Sequence, residues 1–405
     1  MTQVMDGVRV LEVGIYAFAP AAGAVLADWG ADVVKVEHPE SGDPLRGLVA
    51  YGVKPGDGGV TYLWEVLNRG KRSIGVDIGT DDGRELLLSL CEGADVFLTN
   101  FLGPACTRLG IDADSVRARN PKIIYARGTG HGPSGPDADK GGYDGVSFWA
   151  RSGVSIAAKP PDAGYPVGLP GPAYGDIQSG AHLAGGIAAA LFARERTGAG
   201  AVVDVSLLGS GLWAMSPAIA GAHASGQEQL APLDRRRPAN PLWNVYRTAD
   251  GRFVTLSMLE SDRYWPGFCI AAGCPELIAD ERFVDAAARL AHIGECVEVL
   301  DAVFAGHSLE EWKAILESQE GPWSVTQTPR ATLDDAQATA NDYLQWVKYD
   351  NGATLPLVTA PAQIDGRAAT LRAAPGHGAD TDDVLLEAGL SWDDLIRLKV
   401  AGAIT

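Results

Sequence analysis

The chain opens on a β-branched apolar run, Val8-Arg9-Val10-Leu11-Glu12-Val13, followed by an Ala-rich stretch over 20–29 and a second apolar run, Asp32-Val33-Val34-Lys35-Val36-Glu37. The runs have the length and branching of strands, and Pro20 suits the first turn of a helix between them. The alternation continues, with strand patterns at 73–77, 95–99, 122–126 and 201–207. Thr80 precedes Asp81, Asp82 and Leu86-Leu87-Leu88, which predicts an N-capped helix with acids in its first turn. Six strands alternating with helices predict an α/β unit with a parallel sheet covered on both faces.

Two regions break the rhythm. Residues 128–175 are dense in Gly and Pro, with Tyr143, Phe148, Trp149, Tyr165 and Tyr174 among them. A loop-rich stretch of that length inside a compact domain is usually functional. Its aromatic residues fit either a pocket for a bulky apolar group or the core. After about residue 225 the composition changes. Residues 227–239 read as a Pro/Arg-rich linker, 253–258 as a strand, and 285–304 and 309–318 as helical. That predicts a smaller α+β domain over 226–324. A final helix is expected over 382–388.

Composition narrows the function classes. The 405 residues carry a net charge of −18, which argues against a nucleic-acid partner. An anionic ligand would need a local basic patch. No apolar run reaches the length of a membrane helix, and the N-terminus lacks the pattern of a signal peptide, so the expected location is cytoplasmic. Five scattered cysteines fit reduced structural thiols, and no metal site is expected.

Four motifs offer chemistry. The turn Gly14-Ile15-Tyr16-Ala17-Phe18-Ala19 lacks the glycines of a dinucleotide fingerprint, although Glu37 ends the second strand where a ribose-binding acid would sit. Asn68-Arg69-Gly70-Lys71-Arg72 is either a solvated loop or a phosphate contact. Asp176, after Gly175 and before an Ala-rich helix, is either an N-cap or a nucleophilic carboxylate, and Gly175 would let a bulky thioester approach. Gly180, Ala184 and Ala188 predict close packing of that helix on a neighbour. His131 and His182 form no catalytic constellation by spacing and read as structural.

In order along the chain stand Asp6-Gly7-Val8-Arg9-Val10-Leu11-Glu12, Leu26-Ala27-Asp28-Trp29-Gly30-Ala31-Asp32, Ser41-Gly42-Asp43-Pro44, Asn68-Arg69-Gly70-Lys71-Arg72-Ser73, Asn100-Phe101, Gly175-Asp176, Arg196-Thr197-Gly198-Ala199-Gly200, Asn240-Pro241-Leu242 and Gly376-His377-Gly378-Ala379-Asp380. With these motifs, nearly the whole chain resembles the class III CoA-transferases of CaiB/BaiF type, which include formyl-CoA transferase, carnitine CoA-transferases and α-methylacyl-CoA racemase. The resemblance implies a Rossmann-like large domain over 1–225, the small domain, a return to the large domain over 325–405, and an interlocked homodimer. It implies acyl-CoA and carboxylic acids as small-molecule substrates, CoA as part of a substrate, and no tightly bound cofactor.

By the same resemblance Asp176 falls on the catalytic aspartate, which forms an aspartyl acyl anhydride and then an aspartyl-CoA thioester. His38, Val76, Ile78, Asn100, Phe101, Arg108 and Leu109 fall where relatives contact CoA, and Lys71 and Arg72 join Arg108 as the expected basic patch. His38 replaces an arginine of formyl-CoA transferase, Gly79 a lysine and Ala17 a glutamine. That enzyme's tetraglycine loop has no counterpart here, so formate and oxalate are not expected as substrates. In the racemase branch a histidine precedes an aspartate. Here Gly142-Tyr143-Asp144 puts Tyr143 in its place, while Glu260 matches a racemase glutamate. The expected activity is CoA transfer, with 2-methylacyl-CoA epimerisation or CoA binding without turnover as alternatives.

Overall fold

The computed structural model describes residues 3–231 and 233–405. Met1, Thr2 and Pro232, which belong to the polar N-terminal stretch and the expected linker, lie outside the described residues. The chain divides into two compact units. The larger holds the chain up to Ala158, Pro166–Leu230 and Ala336–Thr405; the smaller holds Lys159–Tyr165 and Ala231–Asp335.

The larger unit begins with β1 (Arg9–Val13), α1 (Phe18–Asp28), β2 (Asp32–Glu37), α2 (Tyr62–Asn68), β3 (Arg72–Gly75), α3 (Asp81–Glu92), β4 (Val96–Thr99), α4 (Gly103–Leu109), α5 (Ala113–Arg119) and β5 (Ile124–Thr129). A π-helical segment (Asp144–Ala150) follows, then α6 (Val154–Ala157), α7 (Tyr174–Thr197), β6 (Val202–Ser206), α8 (Leu207–Ala214) and α9 (Ser216–Ser225). The six strands form one parallel sheet in the order β3-β2-β1-β4-β5-β6. Side chains alternate across it. Leu11, Val34 and Phe97 pack with Leu87, Val116, Leu385 and Leu398 on one face, while Val10, Val33 and Leu98 pack with Leu26, Leu183 and Ile187 on the other. Burial on both faces is why the strands read as continuous apolar runs.

Small residues set the packing of α7 on α1. A Cβ added at Gly180 would lie 2.6 Å from Ala21 Cβ, and Ala184 is fully buried. Thr80 caps α3 by accepting the Gly83 N–H, as its position predicts. The chain's end covers the edge strand β3. Asp380 accepts the Ser73 N–H at 2.8 Å, Thr381 accepts the Gly75 N–H at 3.0 Å, and Ile404 bridges to Val76. An edge so covered offers no free ladder to another chain.

The smaller unit has a three-stranded antiparallel sheet, Trp243–Arg247, Phe253–Ser257 and Trp323–Val325. Stacked Tyr246, Phe304 and Trp312 fill its core. The helical pattern over 285–304 is two helices, Ala286–Ala291 and Ile293–Phe304, separated at His292. Among the described residues no helix is long and apolar enough to cross a membrane, and no cluster of His, Cys, Asp or Glu is placed to hold a metal ion.

Candidate active site

The strand order reverses between β1 and β4, so the connections leaving these neighbours diverge to opposite sides. A crevice opens beyond their carboxyl ends, where open parallel sheets bind ligands. Asn100, the first residue after β4, clasps the turn after β1. Its Oδ1 accepts the Ile15 N–H at 3.0 Å and its Nδ2 donates to the Ile15 carbonyl at 2.7 Å.

Two cavities meet at this crevice. The first is lined by Gly14, His38, Val76, Ile78, Phe101 and Leu109. The second, of about 400 Å³, is lined by Tyr16, Phe18, Arg108, Tyr143, Asp176 and Leu207, with Gly128, Gly130 and Gly142 along one side. Ile15, Phe101 and Leu109 line both, so the two are contiguous. Gly130 and Gly142 pack backbone to backbone in this wall, since a Cβ on either would come within 2.7 Å of the other's Cα. In the first cavity the His38 Nδ1 accepts the N–H of Glu40 and of Ser41, at 3.2 and 3.3 Å. The proton of the neutral ring therefore sits on Nε2, as a donor. Glu37 is not free for a ribose: it holds Arg46 through both oxygens and also accepts from Ser73 and the Asp43 N–H.

Asp176 is the third residue of α7, not its N-cap. Ala173 holds the cap position, at φ 59°, and gives no side-chain cap. The cap comes from Asp144, at the start of the π-helical segment, whose Oδ2 accepts the Gly175 N–H at 2.9 Å. Gly175 accordingly serves packing, because a Cβ there would collide with Asp144 and the Phe148 ring. The Asp176 carboxylate accepts no hydrogen bond among the described residues and lines the second cavity. Burial pushes its pKa up to about 7, and the nearby Asp144 carboxylate adds to the rise. Burial also raises Asp144, against the backbone N–H groups of Gly175 and Asp176 and the Trp149 side chain, which lower it. Tyr143 is exposed, and its ring meets that of Tyr16 edge-on, with centroids 5.8 Å apart. Phe148 and Trp149, by contrast, belong to the core.

Beneath the crevice lies a buried charge cluster. Lys35 Nζ reaches Glu12 at 3.0 Å, Asp43 at 2.9 Å and the Gly14 carbonyl at 2.8 Å. Lys71 Nζ reaches Glu12 at 2.7 Å, and the Pro20 carbonyl and Asn68 at 2.9 Å each. Burial works against every charge here. At Glu12 the two lysines outweigh it and hold the carboxyl below its usual range, and at Lys35 the carboxylates of Glu12 and Asp43 outweigh it and raise the ammonium. At Lys71 burial wins, and the pKa is drawn down to about 8.

This cluster corrects the expected basic patch. Lys71 is sealed inside it. Arg72 starts β3, at the end of the strand away from the crevice, where it is held by Asp32 at 2.6 Å and Glu387 at 2.7 Å. Arg69 pairs with Asp28. The motif is therefore neither a phosphate loop nor a solvated one. Arg108 alone of the three expected cations lines the crevice, exposed and without an ion-pair partner among the described residues. Glu260 belongs to the smaller unit, exposed and paired with Arg263. His182 meets Ser210 and His131 lies by Arg151, both outside the cavity linings. Tyr16, Asp43 and Asp144 are the site residues that sequence reasoning passed over. Asp144 adjoined a highlighted tyrosine, but no spacing rule ties residue 144 to the start of a helix at 174.

Residues 5–381 match the model of CoA-transferase family III. The chain is 30% identical to (R)-2-hydroxy-4-methylpentanoate CoA-transferase of Clostridioides difficile, over 98% of each chain. It is 31% identical to cinnamoyl-CoA:phenyllactate CoA-transferase of Clostridium sporogenes, over 98% of this chain and 96% of that one. A crystal structure of a CaiB/BaiF family protein from Brucella suis superposes with a TM-score of 0.83 at 27% identity, covering 96% of this chain and all of that one. The chain belongs to CoA-transferase family III, the class III acyl-CoA:carboxylate CoA-transferases.

Proposed function

We propose that the protein moves CoA from an acyl-CoA to a free carboxylic acid through two covalent states of Asp176. One observation carries this reading: a carboxylate free of hydrogen bonds among the described residues lines a cavity contiguous with a second one. The Asp176 carboxylate attacks the thioester carbonyl, and the C–S bond breaks to give an aspartyl acyl anhydride and CoA thiolate. The thiolate then attacks the aspartyl carbonyl, which releases the first acid and leaves an aspartyl-CoA thioester. The acceptor carboxylate reverses the sequence. Splitting one exchange into steps between activated acyl groups keeps each barrier low. An Asp176 pKa near 7 makes a more basic nucleophile than an ordinary carboxylate, still half ionised at neutral pH.

The CoA moiety occupies the first cavity, with His38, Val76, Ile78, Phe101 and Leu109 against it and Arg108 as its cation. Asn100 holds the turn between the cavities. The Tyr143 hydroxyl donates to the thioester oxygen, where negative charge develops. The working form is a homodimer in the cytoplasm. Phe192, Leu212, Trp213 and Ile219 on α7–α9 expose a run of large apolar side chains that supports a second copy as their cover.

The test is to incubate the protein with an acyl-CoA and no acceptor, quench with hydroxylamine or borohydride, and map the adduct. An adduct on the peptide holding Asp176, absent in Asp176→Ala, is expected. Rapid α-deuterium exchange from deuterated water, without transfer to any acid, would overturn the reading.

A further inference from the structure

The turn Gly14-Ile15-Tyr16 is pinned at each residue. Lys35 holds the Gly14 carbonyl, Asn100 holds both backbone groups of Ile15, and Asp43 Oδ1 accepts the Tyr16 N–H at 3.1 Å. The third pin fixes an unfavourable backbone. Tyr16 sits at φ 61°, the left-handed region that glycine or asparagine enters far more easily than an aromatic residue. Two of the pins, Lys35 and Asp43, belong to the buried charge cluster. A strained aromatic residue so firmly held is kept for its side chain. That ring forms one wall of the cavity holding Asp176 and meets Tyr143 edge-on, at an interplanar angle of 83°.

The rest of that cavity is as informative. Phe18 and Leu207 are apolar, and the glycines at 128, 130 and 142 add no polar side chain to the lining. Its charged lining residues are Arg108 and Asp176. Arg108 stands on α4 next to Leu109, which also lines the first cavity, and is taken by the CoA moiety in the reading above. A second carboxylate on the acyl chain would meet no cation of its own and would face Asp176.

Resting on that reading, we infer that this enzyme takes acids with one carboxylate and a bulky uncharged tail, aryl or branched, and rejects dicarboxylic acids, with Tyr16 as the specificity-determining residue. Edge-to-face contacts with Tyr16 and Tyr143 suit an aromatic or branched tail. A buried unpaired carboxylate is costly, so rejection of dicarboxylates exceeds what shape alone would give.

Isotope self-exchange tests this without knowledge of the physiological acid pair. Each acyl-CoA is mixed with its own ¹³C-labelled free acid, and label entering the CoA ester is read by mass spectrometry. The set is 3-phenylpropanoate, 4-methylpentanoate, succinate and glutarate. The two apolar acids should exchange with kcat/KM at least about 30-fold above the two dicarboxylates. Tyr16→Asn, which tolerates the left-handed backbone, should lower that ratio about tenfold through KM for the acid, and Tyr16→Phe should keep it. Faster succinate or glutarate exchange, or a ratio unchanged in Tyr16→Asn, overturns the inference and leaves transfer through Asp176 standing. Failure of both apolar acids to exchange overturns it as well. Transfer itself is then judged separately, by the trapped Asp176 adduct.

Discussion

Two groups of ionisable side chains lie close to the crevice and follow opposite rules. In the cluster of Glu12, Lys35, Lys71 and Asp43, every charge faces an opposite one within 3.0 Å. At the start of α7, Asp144 and Asp176 are like charges, and neither has a counter-ion among the described residues. Both settings are desolvated, so burial is not what separates them. Pairing makes the first group a support, holding a turn and a strained tyrosine in place. Its absence leaves the second with raised proton affinity, because an unpaired buried carboxylate is costly to ionise.

That contrast is best broken at the carboxylates first. Asp176→Ala should lower CoA transfer at least about 10⁴-fold, measured by isotope exchange, while near-native thermal unfolding shows that the fold survives. Glu12→Gln attacks the other side of the comparison. It leaves Lys35 and Lys71 facing each other with one carboxylate fewer, and should cost about 3–5 kcal/mol in urea unfolding.

Asp176→Asn sharpens the contrast through pH. The folded pKa of Asp176, about 7, lies above its unfolded value near 4, so the folded state binds this proton more tightly. Its contribution to stability is present at low pH and is lost as pH rises from about 4 to 7. The Asn variant should therefore match wild type near pH 4 and exceed it above pH 7 by about 1–3 kcal/mol, seen as a higher Tm. Asp144→Asn keeps an acceptor for the Gly175 N–H but removes the like charge. The rising acidic limb of kcat/KM should move to lower pH, and an unmoved limb would deny Asp144 its electrostatic part. The smallest effects separate free from committed cations. Arg108→Ala should weaken CoA binding by about 1–3 kcal/mol in calorimetry. Arg72→Ala should leave it unchanged and cost at most about 1 kcal/mol of stability.

The same contrast marks how far the sequence could be read. The sheet was legible because strands buried on both faces show as apolar runs, and Thr80 was legible because an N-cap acts three residues away. Asp176 was singled out by motif order, and its reading as a cap failed because the cap comes from another segment. Lys71 and Arg72 misled for a related reason. A cation is visible in the sequence but its partner is not, and Arg72 is held by residues 40 and 315 positions away. Tyr16 gave no signal at all, because a left-handed backbone at a tyrosine follows from tertiary pins rather than local preference.

The covered edge of β3 bears on the order in which the molecule becomes functional. Val76, Ile78 and Gly79 wall the first cavity, and they follow a strand whose outer side is completed by the last residues of the chain. The Asp77 N–H donates to the Ala403 carbonyl at 2.8 Å, and the Thr405 N–H donates back to Gly75 at 3.2 Å. Residues 380–405 are made after every strand of the sheet, so during synthesis that wall stays unfinished until they have been added and have folded back. A nascent chain can thus assemble β1, β2 and β4 and carry Asp176 without owning a finished pocket for its ligand. The Asp176 carboxylate and the finished wall come together only once residues 403–405 lie along β3, so a chain cut before Asp380 would carry the one without the other.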